Sequence, residues 1–371
     1  MSRVAIVLPP REGFGPGEAG SIGLIVHSLA RHGAEFTATV IGSVQADAFA
    51  DVAFRPARLS WLPGSYAARY TGGVLRALQG VYPDLIEVHN RPDLALAIAR
   101  RHRDVPVTLF LNNDPIGMRK ATSTEERNSL IASLARVVCT TEFLRGRLLI
   151  KVPSPARMPV VLPNPLDLST IPRSPAEREA KILFAGRIVQ DKGPDSFARA
   201  CARALPQLPG WRAEMIGADR FGPSSPETPF LRAVRAEAAY AGVEMLGYRP
   251  HADVLAAMAS AAIVMVPSRW AEPFGMTALE AMACGAALLC SPRGGLAEVI
   301  GQAAQRIDPD DPAAMANAIV ALARDPARRA ALGASGRLRA KLFDLPRVAA
   351  SLDALRAEVL DTWSRGKRRP I

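Results

Sequence analysis

The stretch AIVMVPSRWAEPFGMTALEAMACG, residues 262–285, decides the reading of this chain. Its opening, Ile263 to Pro267, is short, apolar and β-branched at two positions, which predicts a buried parallel strand closed by proline and serine. A helix is expected shortly after it. Thr277-Ala278-Leu279-Glu280 has the form of a capping box ahead of an apolar run, so Thr277 is its expected N-cap. Gly285 follows Cys284 as a left-handed stop. The loop between strand and helix, Ser268 to Met276, then lies at the carboxyl end of a strand, where an open α/β sheet binds its ligands.

The first amides of that helix suit an anionic group, and Gly275 lets a ligand come close to the backbone. Two carboxylates, Glu272 and Glu280, flank the loop. An ionised carboxylate repels phosphate and only accepts hydrogen bonds, so both acids are expected to face hydroxyls, each able to hold a vicinal diol. Phosphate on the amides with hydroxyls on the acids describes a sugar nucleotide. Taken singly, the acids have plainer roles: Glu280 as the capping partner of Thr277, and Glu272 as a solvated loop residue. The composite of strand, acid, Pro-aromatic-Gly, capped helix and glycine stop carries the ligand reading.

The string EPFGMTALE, Glu272 to Glu280, resembles the E-x7-E motif of the family 4 (group 1) glycosyltransferases, and VPSRWAEPFGMTALEAMACG and PRGGLAEVI around it are similar to that family's pattern. The resemblance is to enzymes of bacterial cell-surface polysaccharide and glycolipid synthesis. It implies an α/β chain of GT-B architecture, two Rossmann-like doubly wound domains facing an interdomain cleft. It also implies Glu280 on the nucleotide ribose and Glu272 near the donor sugar and its phosphate, with Phe274, Gly275, Met276 and Thr277 lining the donor site.

At 371 residues the chain fits two domains of about 150 to 200 residues each. Hydrophobic content of 49% with 22% charged residues describes a globular protein rather than a disordered one. The amino-terminal apolar run is too short for a signal peptide and no window approaches ~18 uninterrupted apolar residues, so a cytoplasmic protein is expected, with possible association with the inner face of the membrane. Cys139, Cys201, Cys284 and Cys290 form no C-x-x-C pair and read as buried, reduced thiols. The five histidines form no metal-ligand spacing with them.

The formal charge of +11 is a real bias. Its basic residues are dispersed, aromatics are few and no nucleic-acid reader motif occurs, which argues against nucleic acid. An anionic membrane surface or a lipid-linked acceptor fits better. The candidate contacts are the Arg55 to Arg76 segment, with Arg58, Trp61, Tyr66, Arg69 and Tyr70, and the tail Arg365, Lys367, Arg368 and Arg369. A solvated basic surface is the plainer alternative.

In chain order, Val4 to Leu8 predicts a first strand, followed by a glycine-rich loop and a helix from about Ser21 to Arg31. Gly15-Pro16-Gly17-Glu18-Ala19-Gly20 is literally a G-x-G-x-x-G, yet the second strand, near Phe36 to Ile41, ends in Gly42-Ser43 without the acid that a dinucleotide ribose needs. The loop also resembles the family's first strand-helix turn, where backbone near Gly17 or Gly20 would approach donor phosphate or acceptor. Asp84 to Asn90 predicts a strand ending at His89 and Asn90, with Arg91, Pro92 and Asp93 opening a helix. Val105 to Leu111 predicts another, ending at Asn112, where the family commonly carries a histidine. Asn112 can hydrogen-bond a hydroxyl but exchanges no proton near neutral pH. His89, Asn90, Arg91 and Asn112 form the expected acceptor side, with a hydrogen-bonded core histidine as the plainer role for His89.

Val160 to Pro165 resembles the segment leading out of the family's first domain, and Leu166 to Lys181 reads as a linker. The expected division is 1–170, 171–345, and a last helix with a basic tail, 346–371, crossing back to the first domain. Lys181 to Gly186 predicts the first strand of the second domain. Arg187 and Lys192 in the loop after it resemble the family's G-R-x4-K pair, and two cations there would stabilise a departing nucleoside diphosphate. Leu246-Gly247-Tyr248-Arg249-Pro250 resembles the segment whose backbone reads the nucleotide base. Asp308-Pro309-Asp310 spells D-x-D, but Asp-Pro-Asp-Asp-Pro before an Ala-rich helix is turn and N-cap chemistry, so no metal is implied.

The expectation is a glycosyltransferase moving a sugar from a nucleotide-sugar co-substrate, with no other cofactor, to a glycan or lipid-linked acceptor. It is retaining on the strength of the resemblance, and metal-independent. Its catalytic residues would be Glu272, Arg187 and Lys192. The alternatives are a nucleotide-sugar-binding protein without turnover, motivated by Asn112, a GT-B-type sugar-nucleotide epimerase, and a nicotinamide dehydrogenase.

Overall fold

The computed structural model describes residues 1–17, 19–61, 63–155, 157–220 and 227–367, with Gly366 and Lys367 by backbone alone. Glu18 of the glycine-rich loop, the Lys367 side chain, Arg368 and Arg369 lie outside them. The chain forms two compact units, Met1–Pro165 with Leu345–Ile371, and Leu166–Asp344.

The first unit is built on β1 (Ser2–Val7), β2 (Phe36–Gly42), β3 (Ala53–Pro56), β4 (Leu85–His89), β5 (Val107–Leu111), β6 (Arg136–Cys139) and β7 (Val160–Val161). They lie in the order β3-β2-β1-β4-β5-β6-β7, and the pairings are parallel. Every residue of β4 and β5 is buried, as expected of strands covered on both faces. One face carries the helices Tyr66–Leu78 and Pro92–Arg101. The other carries Ser21–His32 and the long helix Leu345–Lys367, which contributes Val348, Leu352, Leu355 and Val359 to the core at helical spacing. That helix is also anchored by charge. Arg356 and Glu87, each almost fully buried, make a two-pronged ion pair at 2.8 Å, and Arg356 also reaches Asp353 at 3.2 Å.

The second unit contains β8 (Glu179–Ala185), β9 (Arg212–Ile216), β10 (Val243–Gly247), β11 (Ala261–Val266), β12 (Ala287–Cys290) and β13 (Gln305–Arg306). Their order is β10-β9-β8-β11-β12-β13, again with parallel pairings. The stretch expected as linker is structured at both ends. Leu166 N donates to Phe343 O at 2.8 Å, and β8 begins at Glu179.

In each sheet the strand order reverses once, between β1 and β4 and between β8 and β11. Loops leaving adjacent strands at such a point diverge to opposite faces and open a crevice at the strands' carboxyl ends. Cys139, Cys201, Cys284 and Cys290 are all buried, and burial pushes each thiol above its usual range. Among the described residues no helix is long and apolar enough to cross a membrane.

Candidate functional site

The reversal point of the second sheet brings together the two loops singled out in the sequence. After β8 the chain passes Arg187, half-buried, and reaches Lys192 in a 3-10 turn. After β11 it runs Pro267 to Gly275. Lys192 Nζ lies 2.5 Å from Glu272 Oε1, so an acid of one loop and a cation of the other are in direct contact. Lys192 also stands over the half-exposed Trp270 ring, 5.7 Å from its centroid. Glu272 is buried and accepts a second hydrogen bond on the same oxygen, from Ser268 Oγ at 2.8 Å. Its other oxygen has no hydrogen bond among the described residues.

The loop is braced from behind. Arg269 makes a two-pronged ion pair with Asp195, both contacts at 2.7 Å, and donates to Ser196 Oγ at 2.6 Å. Burial acts to raise the Asp195 carboxyl, but Arg269 more than offsets it and holds the group below the usual carboxylate range. Arg293 pairs with Asp308 at 3.1 Å and Asp310 at 2.6 Å, while Asp311 caps the helix Pro312–Ala323 through the amides of Ala313 and Ala314. Both acids of the D-x-D string are thus engaged by Arg293, Asp308 also accepts from Asp310 N at 3.1 Å in the turn, and the cap belongs to the next residue, Asp311.

The helix after the loop, Met276–Ala283, corrects one expectation. Its N-cap is Gly275 in the left-handed region (φ 105°), Thr277 is its second residue, and no side chain caps it. A Cβ at Gly275 would stand 2.3 Å from Leu296 Cδ2, so both the backbone angle and the packing require glycine. With no side chain capping it, the first amides of the helix keep their donors, which suits an anion better than a capped end would. Gly285 ends the helix with φ 68°. Phe274 is a second correction. Its ring is buried in the core, edge-on to Phe343 at 5.6 Å, because an aromatic next to two buried helices gains more from packing than from solvent. Met276 and Thr277 are half-buried, Met276 against the same core.

Glu280, one turn into the helix, has Oε1 2.8 Å from Nε2 of His251. The hydrogen bond to Glu280 raises the His251 pKa above its ordinary value. Nothing in the sequence links these residues, which are 29 apart and on different helices. Gly247 closes β10, its carbonyl accepting from Gly217 N at 2.8 Å, and is followed by half-buried Tyr248 and exposed Arg249.

In the first unit the corresponding reversal lies between the glycine-rich loop after β1 and the end of β4, with the end of β5 next to β4. Here Gly20 does not offer a free amide end. The Glu12 carboxylate accepts from Gly23 N at 2.8 Å and faces the amides of Gly20 and Ile22, and burial holds its pKa above the usual carboxylate value. The start of the helix Ser21–His32 is therefore occupied by the protein's own anion, which removes Gly20 as a phosphate contact. Gly17 is exposed, with open space around it.

His89 is buried, stacked on Phe110 at 4.8 Å, and desolvation lowers its pKa to about 4, so it is neutral at physiological pH. Its Nδ1 is 3.5 Å from Asn112 Nδ2. Asn90 and Arg91 are corrected from ligand contacts to loop builders. Asn90 adopts φ 54° and its Oδ1 accepts from the amides of Asn112 (2.7 Å) and Asn113 (3.2 Å). The Arg91 guanidinium is closed on Asp93 by two bonds of 2.9 and 2.8 Å. Of the aromatics assigned to a membrane contact, Tyr70 is a core residue whose hydroxyl donates to Leu8 O at 2.9 Å. Trp61 is 81% exposed and Tyr66 is also exposed.

Two parallel, doubly covered sheets, each with its candidate residues at a reversal point, define a chain of the GT-B class. Structural comparison agrees. A sucrose-phosphate synthase from Thermosynechococcus elongatus superposes with TM-score 0.77 over 98% of this chain and all of that one, at 18% identity. Anabaena HepE in complex with UDP and glucose gives 0.76 over 95% of this chain and 99% of that one, also at 18% identity. Residues 170–339 match the family model for glycosyl transferases group 1. The chain is similar to the D-inositol 3-phosphate glycosyltransferase of Frankia alni, 31% identical over 307 residues, covering 74% of this chain and 75% of that protein. It is also 30% identical to a glycogen synthase of Mycobacterium tuberculosis over 217 residues, 57% of this chain but 50% of that protein. The chain belongs to the group 1 glycosyltransferases and is an enzyme of that class.

Proposed function

We propose that this glycosyltransferase takes its sugar from a nucleoside diphosphate donor held by the second unit and transfers it to a hydroxyl of a glycan or lipid-linked acceptor. The observation that carries this reading is the Lys192–Glu272 contact at the sheet reversal, beside a helix start whose amides no side chain caps. The amides and Lys192 would receive the diphosphate, with Arg187 in the same loop, and cations preorganised there stabilise the charge that grows as the glycosidic bond breaks. Glu280 would take the ribose hydroxyls and Glu272 a hydroxyl of the transferred sugar. Donor complexes of a similar fold, HepE with UDP-glucose among them, support a sugar nucleotide as ligand.

Retention of configuration follows the family resemblance. In the first unit His89, with its pKa near 4, is too weakly basic to accept a proton well, and Asn112 does not titrate. The acceptor proton would then leave with an oxygen of the departing diphosphate. The two cations take the place of a metal in this reading. Peripheral contact with an anionic membrane belongs to it too, through the exposed Trp61 and Tyr66 beside Arg58 and Arg76, with Tyr70 excluded by burial.

Thermal stabilisation by UDP, GDP, ADP and CMP, with and without their sugars, followed by transfer assays on a panel of hydroxylated acceptors, tests the proposal. One diphosphate family should stabilise the protein and its sugar conjugate should be consumed. Binding without turnover on any acceptor favours a binding protein, and conversion of the donor without acceptor favours an epimerase.

A further inference from the structure

We propose that Ser268 is a positioning residue for Glu272: its hydroxyl and the Lys192 ammonium fix Oε1 of that carboxylate, leaving Oε2 to receive a hydroxyl of the transferred sugar. The inference rests on the donor-site reading above and adds to it a neutral side chain outside the acids and cations of the motif.

Ser268 is fully buried at the end of β11. Its Oγ lies 2.8 Å from Glu272 Oε1, 3.0 Å from Asp191 O and 3.5 Å from Trp270 O. A hydroxyl has one proton to donate, and an ionised carboxylate is a stronger acceptor than a peptide carbonyl. Asp191 O already accepts from the amides of Arg269 (2.8 Å) and Trp270 (3.2 Å), so the proton goes to Glu272. Ser268 is itself held, because the fully buried Ser291 donates its hydroxyl to Ser268 O at 2.6 Å.

The backbone of Glu272 is fixed from the far side. Gly295 N donates to Glu272 O at 2.6 Å. Gly294 has φ 64°, and a Cβ there would meet Glu272 O at 2.6 Å and Glu272 N at 2.8 Å, so the two segments touch backbone to backbone. Glu272 is therefore restrained at its peptide and at one carboxylate oxygen.

The two partners of Oε1 differ in what a donor does to them. Lys192 has further N–H donors that an incoming diphosphate attracts, which weakens its hold on Glu272 as the charge is shared. Ser268 is buried and gives its only proton to Glu272. It is the restraint that persists in the donor complex, when orientation of the acid matters most.

The test uses the full-length protein with Ser268→Ala and the near-isosteric Ser268→Cys, a weak donor. The probes are UDP, GDP and ADP and their glucose conjugates, with affinity measured by calorimetry and turnover as release of glucose. Both variants should bind the bare diphosphate within about twofold of wild type while kcat on the conjugate falls by about tenfold or more, the consequence of losing a hydrogen bond to a charged group. Unchanged kcat in both variants overturns the proposal. So does parallel loss of diphosphate binding in both, which would mean that the hydroxyl holds the loop rather than the acid. A wild-type protein that binds none of the six compounds overturns the donor-site reading itself, before any variant is made.

Discussion

Glu280 gives one oxygen to His251 and keeps the other without a protein partner among the described residues, so its removal has two separable effects. Glu280→Ala should weaken nucleoside diphosphate binding by about 1 to 3 kcal/mol, the scale of a charged hydrogen bond, in calorimetric titration. Unchanged affinity in a folded variant contradicts the ribose role. The histidines of the two units impose opposite pH dependences on stability. His251 has a raised pKa, so what it contributes is complete below about pH 6.5 and is lost as pH rises through its folded value; its side chain is more than half exposed and the effect is small. His89 has its pKa lowered to about 4, so the unfolded chain binds the extra proton and stability falls as pH drops from about 6.5 to 4. His89→Gln should remove about 3 kcal/mol of that acid-side loss, read from urea midpoints at pH 7 and pH 4. Parallel pH profiles for variant and wild type would refute it.

The helix Met276–Ala283 shows what an element owes to neighbours distant in sequence. The strand before it, the loop and the glycine stop are legible in residues 262–285, because β-branched runs and glycine punctuation act locally. The cap was not. T-x-x-E has the right letters, but Leu296, further along the chain, sits where only a glycine at 275 can turn, and this sets the N-cap two residues before Thr277. The same limit hid His251 behind Glu280 and Glu12 behind Gly20, since contacts between separate elements leave no periodic trace in a sequence. It also put Phe274 on the ligand side, where the pattern cannot tell a buried ring from an exposed one. Gly275→Ala should cost about 1 to 3 kcal/mol of stability and weaken diphosphate binding. Leu296 is itself fully buried, so Leu296→Ala is destabilising on its own, and the expected result is that the double variant loses less than the sum of the two single losses, the steric part being shared and the backbone strain remaining. A double variant no less stable than Leu296→Ala alone would show that φ at this position is not constrained.

For the molecule as a whole, the order of strands does more than any single motif. Each sheet reverses direction once, and the loops that carry Gly17 and His89 in one and Lys192 and Glu272 in the other leave the strands at those reversals, which is why a chain whose motifs fade in its first half still yields a candidate site there; Asn112 follows β5, and Gly247 to Arg249 follow the edge strand β10. The first unit is closed by chain that returns to it at Leu345, pinned by the buried Arg356–Glu87 pair. Arg356→Ala leaves Glu87 and Asp353 without their arginine in a dry interior and should cost about 3 to 5 kcal/mol, whereas Glu87→Leu and Asp353→Asn with Arg356→Met should recover part of that loss. Equal denaturant midpoints for the single variant and wild type would refute the assignment.

The four sequestered thiols turn the chain into its own unfolding recorder. Cys139 belongs to the first unit and Cys201, Cys284 and Cys290 to the second, so an alkylating reagent added during a denaturant ramp marks each half with a different mass increment. Whether one mark or three comes first tells which half opens before the other, without a probe having to be engineered in.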